Sequence, residues 1–214
     1  MSLKVETLAV GQLQANCYLV YDSNSRDGLI IDPGDEGTFI ADEILRLKIN
    51  PIAIIATHGH FDHILASWEL QMAFNVPFYI QKEDKFMLNY MAYSAKKWLG
   101  KEIVEKPPEK IIELRTTNDE QGKHKNISLP LILNSSFIIH YFSTPGHTLG
   151  SICLAFPEEK IIFTGDTLFA NNEIGRTDLP YSSPIEIKKS IELIKAKHNG
   201  WTGYPGHGIS FMIN

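Results

Sequence analysis

Short hydrophobic runs separated by polar turns dominate the first third of the chain and predict strands there. Three such runs are VETLAV (5–10), NCYLVYD (16–22) and GLIIDPG (28–34), each next to turn-forming residues. From Thr38 to Leu47 the apolar residues fall at helical spacing. The run from Pro51 to Ala56 is apolar throughout, as in a strand buried on both faces. The pattern therefore predicts three strands, a helix and a buried fourth strand.

The rest of the chain again places strands before helices. Helices are predicted from about Ile64 to Phe74 and from Pro184 to Lys197, with mainly helical structure from Lys82 to Lys110. The polar stretch at 116–126 is predicted to be a solvated loop. Further strands are predicted at PFYI (77–80), LPLIL (129–133), FIIHYF (137–142), SICLAF (151–156) and KIIFTG (160–165). No repeat or linker is evident, so we expect one α/β domain spanning 1–214, with helices covering the outer faces of its sheets.

The composition is that of a globular protein, with 43% hydrophobic and 21% charged residues. A net charge of −5 argues against a broad basic surface for nucleic acid or anionic membranes. The first residues lack a signal peptide's basic start and apolar stretch, and no apolar run approaches the roughly 18 residues of a membrane span. Cys17 and Cys153 lie in strand-like runs far apart, which favours buried reduced thiols. We expect a cytoplasmic protein acting on a small molecule, and leave its oligomeric state open.

The stretch THGHFDHILA (57–66) is the strongest chemical signal in the chain. It places three histidines and an aspartate within six residues, at the C-terminal end of a predicted buried strand, where α/β proteins commonly place their sites. His58 and His60 are two residues apart, so both imidazoles can reach one metal ion. Asp62 and His63 follow too closely to join that ion without strain. They are better placed to face a second ion.

Three further residues lie at the ends of predicted strands and are candidates for the same site. His147 and His207 each follow a Pro-Gly turn, in TPGHTLGS and YPGHG. Asp166 ends the run KIIFTGD, where its carboxylate can bridge two cations. Each of the three is a weak signal alone. The repeated order of strand, Pro-Gly, histidine and small residue is the stronger indication.

The other three histidines are predicted to have structural roles. His124 lies beside lysines in the polar stretch at 116–126, and His140 is a strand position between Ile139 and Tyr141. His198 lies near the end of the last predicted helix, where a partly charged imidazole would complement the helix dipole.

Five motifs together resemble the metallo-β-lactamase superfamily along nearly the whole chain. They are THGHFDH (57–63), similar to the family's H-x-H-x-D-H motif, DPGD (32–35), TPGHTLGS (144–151), FTGD (163–166) and YPGHG (204–208). Each motif alone is weak, but five in this order are specific. The resemblance implies a four-layer αββα sandwich, with metal ions between the upper edges of two sheets.

The same resemblance implies two neighbouring ions. The implied ligands are His58, His60 and His147 for one ion, Asp62, His63 and His207 for the other, and Asp166 as a bridge. Asp32 would lie near the ligand loop without binding metal itself. Zn²⁺ is the expected metal, with Fe²⁺ or Mn²⁺ as alternatives, because mixed imidazole and carboxylate ligands suit all three.

Within the superfamily the chain resembles the hydroxyacylglutathione hydrolases, or glyoxalase II, in a compact form. The similar stretch is FTGDTLFANNEIGRTDLP (163–180). The chain departs from that family at 171–173 and 181–183, where glycine-rich sequence is usual, and it ends seven residues after His207, without the helical domain that helps to hold glutathione. Arg176 is a candidate for binding a substrate carboxylate, and a salt bridge with Asp178 or Glu173 is equally open.

The resemblance implies hydrolysis of a thioester such as S-lactoylglutathione. Divalent ions lower the pKa of bound water from 15.7 to roughly 7 and so supply hydroxide at neutral pH. Asp62 would bind metal and orient this hydroxide. Alternatives are a persulfide dioxygenase with one iron and a lactonase of the same superfamily. A ribonuclease fits the negative charge poorly, and a binding protein without activity is disfavoured because all seven ligands are present.

Overall fold

Two six-stranded β-sheets form the centre of the computed structural model, which describes residues 2–100, 102–115, 127–128 (backbone only) and 139–214. The first sheet contains, in spatial order, β1 (Leu3–Val10), β2 (Ala15–Asp22), β3 (Asp27–Ile31), β4 (Asn50–Ile55), β5 (Phe78–Gln81) and β6 (Ile111–Leu114). The second sheet contains, in spatial order from one edge to the other, β7 (Ile127–Ser128), β8 (His140–Ser143), β9 (Ile152–Phe156), β10 (Ile161–Gly165), β11 (Thr202–Pro205) and β12 (Phe211–Met212). Strands β3 to β6 run parallel, as do β10 and β11.

The helices agree with the predicted positions in part. They are α1 (Gly37–Leu47), α2 (Phe61–Ile64), α3 (Ser67–Phe74), α4 (Met91–Leu99) and α5 (Pro184–His198), with 3₁₀ helices at Lys82–Tyr90 and Ala170–Asn172. The helix predicted from Ile64 to Phe74 begins later, as α3 at Ser67, and Ile64 is instead the last residue of α2. Helical structure predicted as far as Lys110 ends at Leu99, because Gly100 adopts a left-handed conformation with φ of 69°. The strand predicted at 129–133, the loop at 116–126 and His124 lie outside the described residues.

Alternate residues of each central strand face different layers. On β2, Cys17 and Leu19 pack in the core cluster that includes Ile40 and Ile44 of α1, whereas Tyr18 and Val20 pack against the second sheet. This alternation follows from the period of two along a strand.

The second sheet shows the same division. Leu154 and Phe163 face the first sheet, and Cys153 and Ile162 pack with Ile194 of α5. The four-layer αββα sandwich predicted from the sequence is therefore confirmed.

Both cysteines are buried and free, as predicted. Burial raises the pKa of the Cys17 thiol well above its usual range and that of Cys153 to about 12, so both stay protonated at neutral pH. Among the described residues, no helix combines the length and apolar character needed to cross a membrane.

His198 packs in the core, as its predicted structural role requires, but its charge differs from the prediction. As the last residue of α5 it stacks on Phe142, with ring centroids 5.3 Å apart, and packs against Trp201 at 4.7 Å. Burial lowers its pKa below the usual value, so the imidazole is neutral at pH 7. The expected partly charged imidazole is therefore wrong, because aromatic packing here outweighs the attraction of the helix dipole.

Candidate metal centre

All seven predicted ligands follow strand ends and meet above the two sheets. Four of them come from the segment after β4, and the others follow β8, β10 and β11. They are His58, His60, Asp62 and His63, then His147, Asp166 and His207. Asp32 follows β3, the parallel neighbour of β4. Parallel strands bring their carboxyl ends to one edge, which is why residues up to 149 positions apart in sequence converge here.

His58, His60 and His147 direct one ring nitrogen each toward a common point. His60 Nδ1 lies 3.1 Å from His58 Nε2 and 2.9 Å from His147 Nε2. Zinc bonds to imidazole of about 2.0–2.1 Å in a tetrahedral site would separate ligand nitrogens by roughly 3.3 Å. The spacing of these three nitrogens is therefore close to what one ion requires.

Asp62, His63 and His207 form a second group. His63 Nε2 and His207 Nε2 are 3.3 Å apart, and Asp62 Oδ2 lies 3.7 Å and 3.4 Å from them. The five histidines and Asp62 thus fall into two groups, as the two-ion arrangement implied by the motifs requires.

Asp166 lies between the groups. Its Oδ2 is 3.5 Å from His147 Nε2 and 3.7 Å from His207 Nε2, and its Oδ1 is 3.6 Å from His63 Nε2. Oδ1 is buried and accepts no hydrogen bond from any residue that the structure describes. A buried carboxylate oxygen without a donor is costly, and a cation beside it would remove that cost. The donor set thus fits divalent metal.

The outer ring nitrogens of the histidines are held by hydrogen bonds. His147 Nδ1 donates to the carbonyl of Arg176 at 3.0 Å, and His207 Nδ1 to that of Gln14 at 3.3 Å. A carbonyl can only accept, so the proton sits on Nδ1 in both rings. Each Nε2 is then a free lone pair facing the cluster, as a metal ligand must be.

Asp32 contacts the predicted ligands on the side that faces away from the centre of the cluster. Its Oδ1 accepts from Thr57 N and its Oδ2 from Thr57 Oγ1, both at 2.6 Å, and Oδ2 lies 3.2 Å from His63 Nδ1. Thr57 Oγ1 is also 3.1 Å from His58 Nδ1. Asp32 is close enough to His58 and His63 to be a ligand itself, but its oxygens are already used by these donors. Its position supports an orienting role.

Close backbone approach explains the glycine before His207. A Cβ on Gly206 would collide with Oδ1 of Asp166 and come within 2.8 Å of His63 Cε1. Any larger residue would therefore push the Asp166 carboxylate out of place.

The two groups differ in their electrostatics. Burial lowers the pKa of His63, but the carboxylates of Asp166 and Asp62 outweigh it and raise the pKa to about 10. Burial and the neighbouring His147 lower the pKa of His60 to about 3. Without metal, His58 and His60 are therefore neutral at pH 7, because burial lowers the pKa of both, while His63 holds a proton.

Metal binding at the Asp62–His63–His207 group is expected to release about one proton per chain at pH 7–8, because His63 must lose its proton to act as a ligand. The apparent affinity of this group for metal should rise about tenfold per pH unit as the pH increases from 7 toward 10. In the metal-free protein, the same proton stabilises the fold below about pH 6.5, and this contribution is lost as the pH rises through about 10. Titration calorimetry in buffers of different ionisation enthalpy counts the released protons. Release of none would contradict the assignment of His63 as a ligand.

Asp84, which the sequence analysis did not identify, ties the two ligand segments together. Its buried carboxylate accepts from Gly59 N at 2.9 Å, Thr148 Oγ1 at 2.6 Å and Gly150 N at 2.6 Å. Burial raises its pKa even though all three hydrogen bonds act to lower it. Gly59 lies between His58 and His60, so Asp84 fixes that loop relative to the loop of His147.

Replacing Asp84 with alanine is expected to destabilise the protein by about 3–4 kcal/mol, because three buried donors lose their acceptor. Metal affinity should fall about 10–100-fold as the two loops separate. Chemical denaturation and chelator competition measure the two effects. Asp42→Ala, at an exposed position on α1, is the control. Lost stability with unchanged metal affinity would show that Asp84 does not position the ligands.

A cavity of about 400 Å³ opens onto the cluster, and Arg176 and Tyr181 help to line it. Arg176 pairs with Asp178 through two contacts of 2.7 Å, and its guanidinium lies 4.9 Å from the ring centroid of Trp98. Of the two salt bridges considered from sequence, the structure forms the one with Asp178. Tyr181 OH lies 2.9 Å from His60 Nε2.

Neither Asp84 nor Tyr181 carries a recognisable sequence signal. Asp84 lies in the polar stretch KED, and its partners are two backbone N–H groups and one hydroxyl of distant loops. Tyr181 stood out only because it departs from the glycine-rich sequence usual at that position.

Known proteins match this chain along most of its length. The family profile described as the metallo-beta-lactamase superfamily matches residues 10–207. The probable metallo-hydrolase MJ0888 of Methanocaldococcus jannaschii is 35% identical over 200 residues, covering 88% of each chain. The hydroxyacylglutathione hydrolase GloC of Haemophilus influenzae is 31% identical over 190 residues, covering 88% of this chain and 82% of that protein. The solved structure of TTHA1623 in a di-iron-bound form has a TM-score of 0.80 and 27% identity, over 97% of this chain and 94% of that one.

Proposed function

The chain belongs to the metallo-beta-lactamase superfamily, and we propose that within it the protein hydrolyses thioesters of the hydroxyacylglutathione type. The observation that carries the proposal is the position of Asp166, whose carboxylate spans two groups of three ligands and has a buried oxygen without a donor among the described residues. The likeness to GloC supports a thioester substrate.

The proposed ligands are His58, His60 and His147 for one ion, Asp62, His63 and His207 for the other, and Asp166 between them. Zn²⁺ is the proposed metal, and the di-iron form of TTHA1623 makes Fe²⁺ the main alternative. Bound there, two ions would supply hydroxide at neutral pH and positive charge for the acyl oxygen. A thioester suits this chemistry because a thiolate leaves without a strong general acid.

Asp62 is the proposed orienting group for the attacking water. Its carboxylate lines the cavity, with Oδ2 facing His63 and His207. Burial raises the pKa of Asp62, but the charge on His63 outweighs this and holds it below its usual range. When metal binds and His63 loses its proton, the ion would supply the positive charge instead, so Asp62 would stay ionised and accept a hydrogen bond from the water.

Tyr181 is the proposed donor to the substrate. His60 Nδ1 faces the ligand group, so its proton lies on Nε2 and is donated to the Tyr181 hydroxyl oxygen. The hydroxyl proton is then free to point into the cavity, toward the acyl oxygen. Burial raises the pKa of Tyr181, so this proton is retained at neutral pH.

Tyr181→Phe is expected to lower kcat by about 10²-fold, which is typical for losing one donor to a developing oxyanion. The content of bound metal should stay unchanged, since the Tyr181 hydroxyl bonds to Nε2 of His60 and not to the Nδ1 that faces the ligand group. Steady-state kinetics and elemental analysis provide the two measurements. An unchanged kcat would remove Tyr181 from the mechanism, and a loss of metal with no intrinsic rate effect would assign it a supporting role only.

The function is tested by assaying purified protein of known metal content with S-lactoylglutathione, a persulfide and a lactone in parallel. We expect two metal ions per chain and thioester turnover. A single iron with oxygen consumption on the persulfide would instead indicate a dioxygenase, and turnover of the lactone alone would indicate a lactonase. Either result would overturn the proposal.

A further inference from the structure

A second cavity adjoins the one above the predicted ligands. It has a volume of about 550 Å³ and lies between the 3₁₀ helix Lys82–Tyr90, α4 and the segment Pro180–Tyr181. The two cavities share five lining residues: His60, Phe61, Tyr93, Ser94 and Tyr181. A substrate held at the cluster can therefore extend directly into this second space.

The second cavity is apolar. The residues that line it alone are Gly59, Phe86, Met87, Tyr90, Met91 and Pro180. No lysine, arginine, aspartate or glutamate among the described residues lines it. Its volume and character are those of a small-molecule site in which an apolar group is buried.

Glutathione would find few partners in this cleft. It carries two carboxylates and an ammonium group, and burying such charges requires opposite charges or several hydrogen bonds. The cavity over the predicted ligands contributes Lys97 and Arg176 as cations from the described residues. The guanidinium of Arg176 is already engaged by Asp178 on two of its nitrogens.

We propose that the preferred substrate is a thioester bearing an apolar alkyl or aryl group, and that this group occupies the second cavity. This inference rests on the proposed thioester hydrolysis. It keeps the proposed reaction, including turnover of S-lactoylglutathione, and makes an apolar thioester the better substrate. Whether the apolar group belongs to the acyl or the thiol side depends on which way the thioester lies across the ligands.

The holoenzyme is assayed with two series of thioesters. In one, the acyl group is lengthened from acetyl to hexanoyl and phenylacetyl on N-acetylcysteamine. In the other, lactate is carried by glutathione, N-acetylcysteamine or benzyl mercaptan. We expect kcat/KM to rise about fourfold per buried methylene in one series, and at least one apolar thioester to exceed S-lactoylglutathione by about tenfold or more. The series that responds identifies the side of the thioester that the cavity holds.

The variant Phe86→Gln tests whether the second cavity is the source of the preference for apolar thioesters. Phe86 lines the second cavity and is 39% exposed, so the substitution should not unfold the protein. Phe39→Gln is the matched control, because Phe39 is 45% exposed on α1 and lines neither cavity. We expect Phe86→Gln to reduce the preference for the apolar thioester severalfold and Phe39→Gln to leave it unchanged.

Three outcomes overturn the inference in distinguishable ways. A preference for S-lactoylglutathione over every apolar thioester refutes the substrate class while the proposed function stands. An apolar preference that is the same in Phe86→Gln and the wild-type protein refutes the cavity as its source. Turnover of no thioester at all refutes the proposed function itself.

Discussion

Asp166→Ala is expected to lower kcat for thioester hydrolysis by about 10³-fold and to leave the protein folded. The carboxylate approaches His147 on one side and both His63 and His207 on the other, at 3.5–3.7 Å. Without it, the two proposed ions lose the negative charge that lies between them, so they would no longer keep the spacing that a two-metal reaction needs. Kinetics, circular dichroism and metal analysis of the same preparation provide the test.

Asp42→Ala serves as control here also, because it removes a carboxylate at an exposed position far from the cluster in sequence. The variant should keep its full rate and metal content. Activity of Asp166→Ala within about threefold of the wild-type value, with metal still bound, would show that the carboxylate is no bridge.

Removal of metal by a chelator is expected to reduce thioester turnover below about 1% and to lower the melting temperature. Since the outer ring nitrogens of His58, His147 and His207 are held by protein groups, the ligands should stay near their positions when metal leaves. Activity should therefore return within the mixing time when Zn²⁺, Fe²⁺ or Mn²⁺ is added, without a slow refolding phase.

Mg²⁺ provides the control for this experiment, because it prefers oxygen ligands and octahedral geometry to a site rich in imidazole. It should not restore turnover. Full activity in protein shown by elemental analysis to be metal-free would refute hydrolysis by a metal centre.

The sequence predicted those parts of the molecule whose structure is determined by residues close together in the chain. The alternation in NCYLVY predicts β2 because residues two apart face the same layer, and the structure assigns Cys17 and Tyr18 to opposite faces. The grouping of His58 with His60 and of Asp62 with His63 follows from their spacing, and the structure brings each pair to a different ligand group.

Features that depend on distant contacts were not accessible from the sequence. Asp84 acquires its position only because its partners Gly59 and Gly150 fold against it from other loops. His198 has a lowered pKa because it is buried, and Phe142, which stacks on it, lies on a distant strand. The apolar cavity arises where the loop of His60 meets the 3₁₀ helix Lys82–Tyr90, α4 and Pro180–Tyr181, segments that are distant from one another in sequence.

Thr57 connects the two halves of the cluster through a chain of hydrogen bonds with a fixed direction. His58 Nδ1 donates to the Thr57 hydroxyl, which donates to Asp32, and His63 Nδ1 donates to the same carboxylate from the other end. One buried carboxylate thus sets the tautomer of one histidine in each ligand group. The affinities of the two proposed ions are therefore not independent properties, and any change at Asp32 or Thr57 alters both at once.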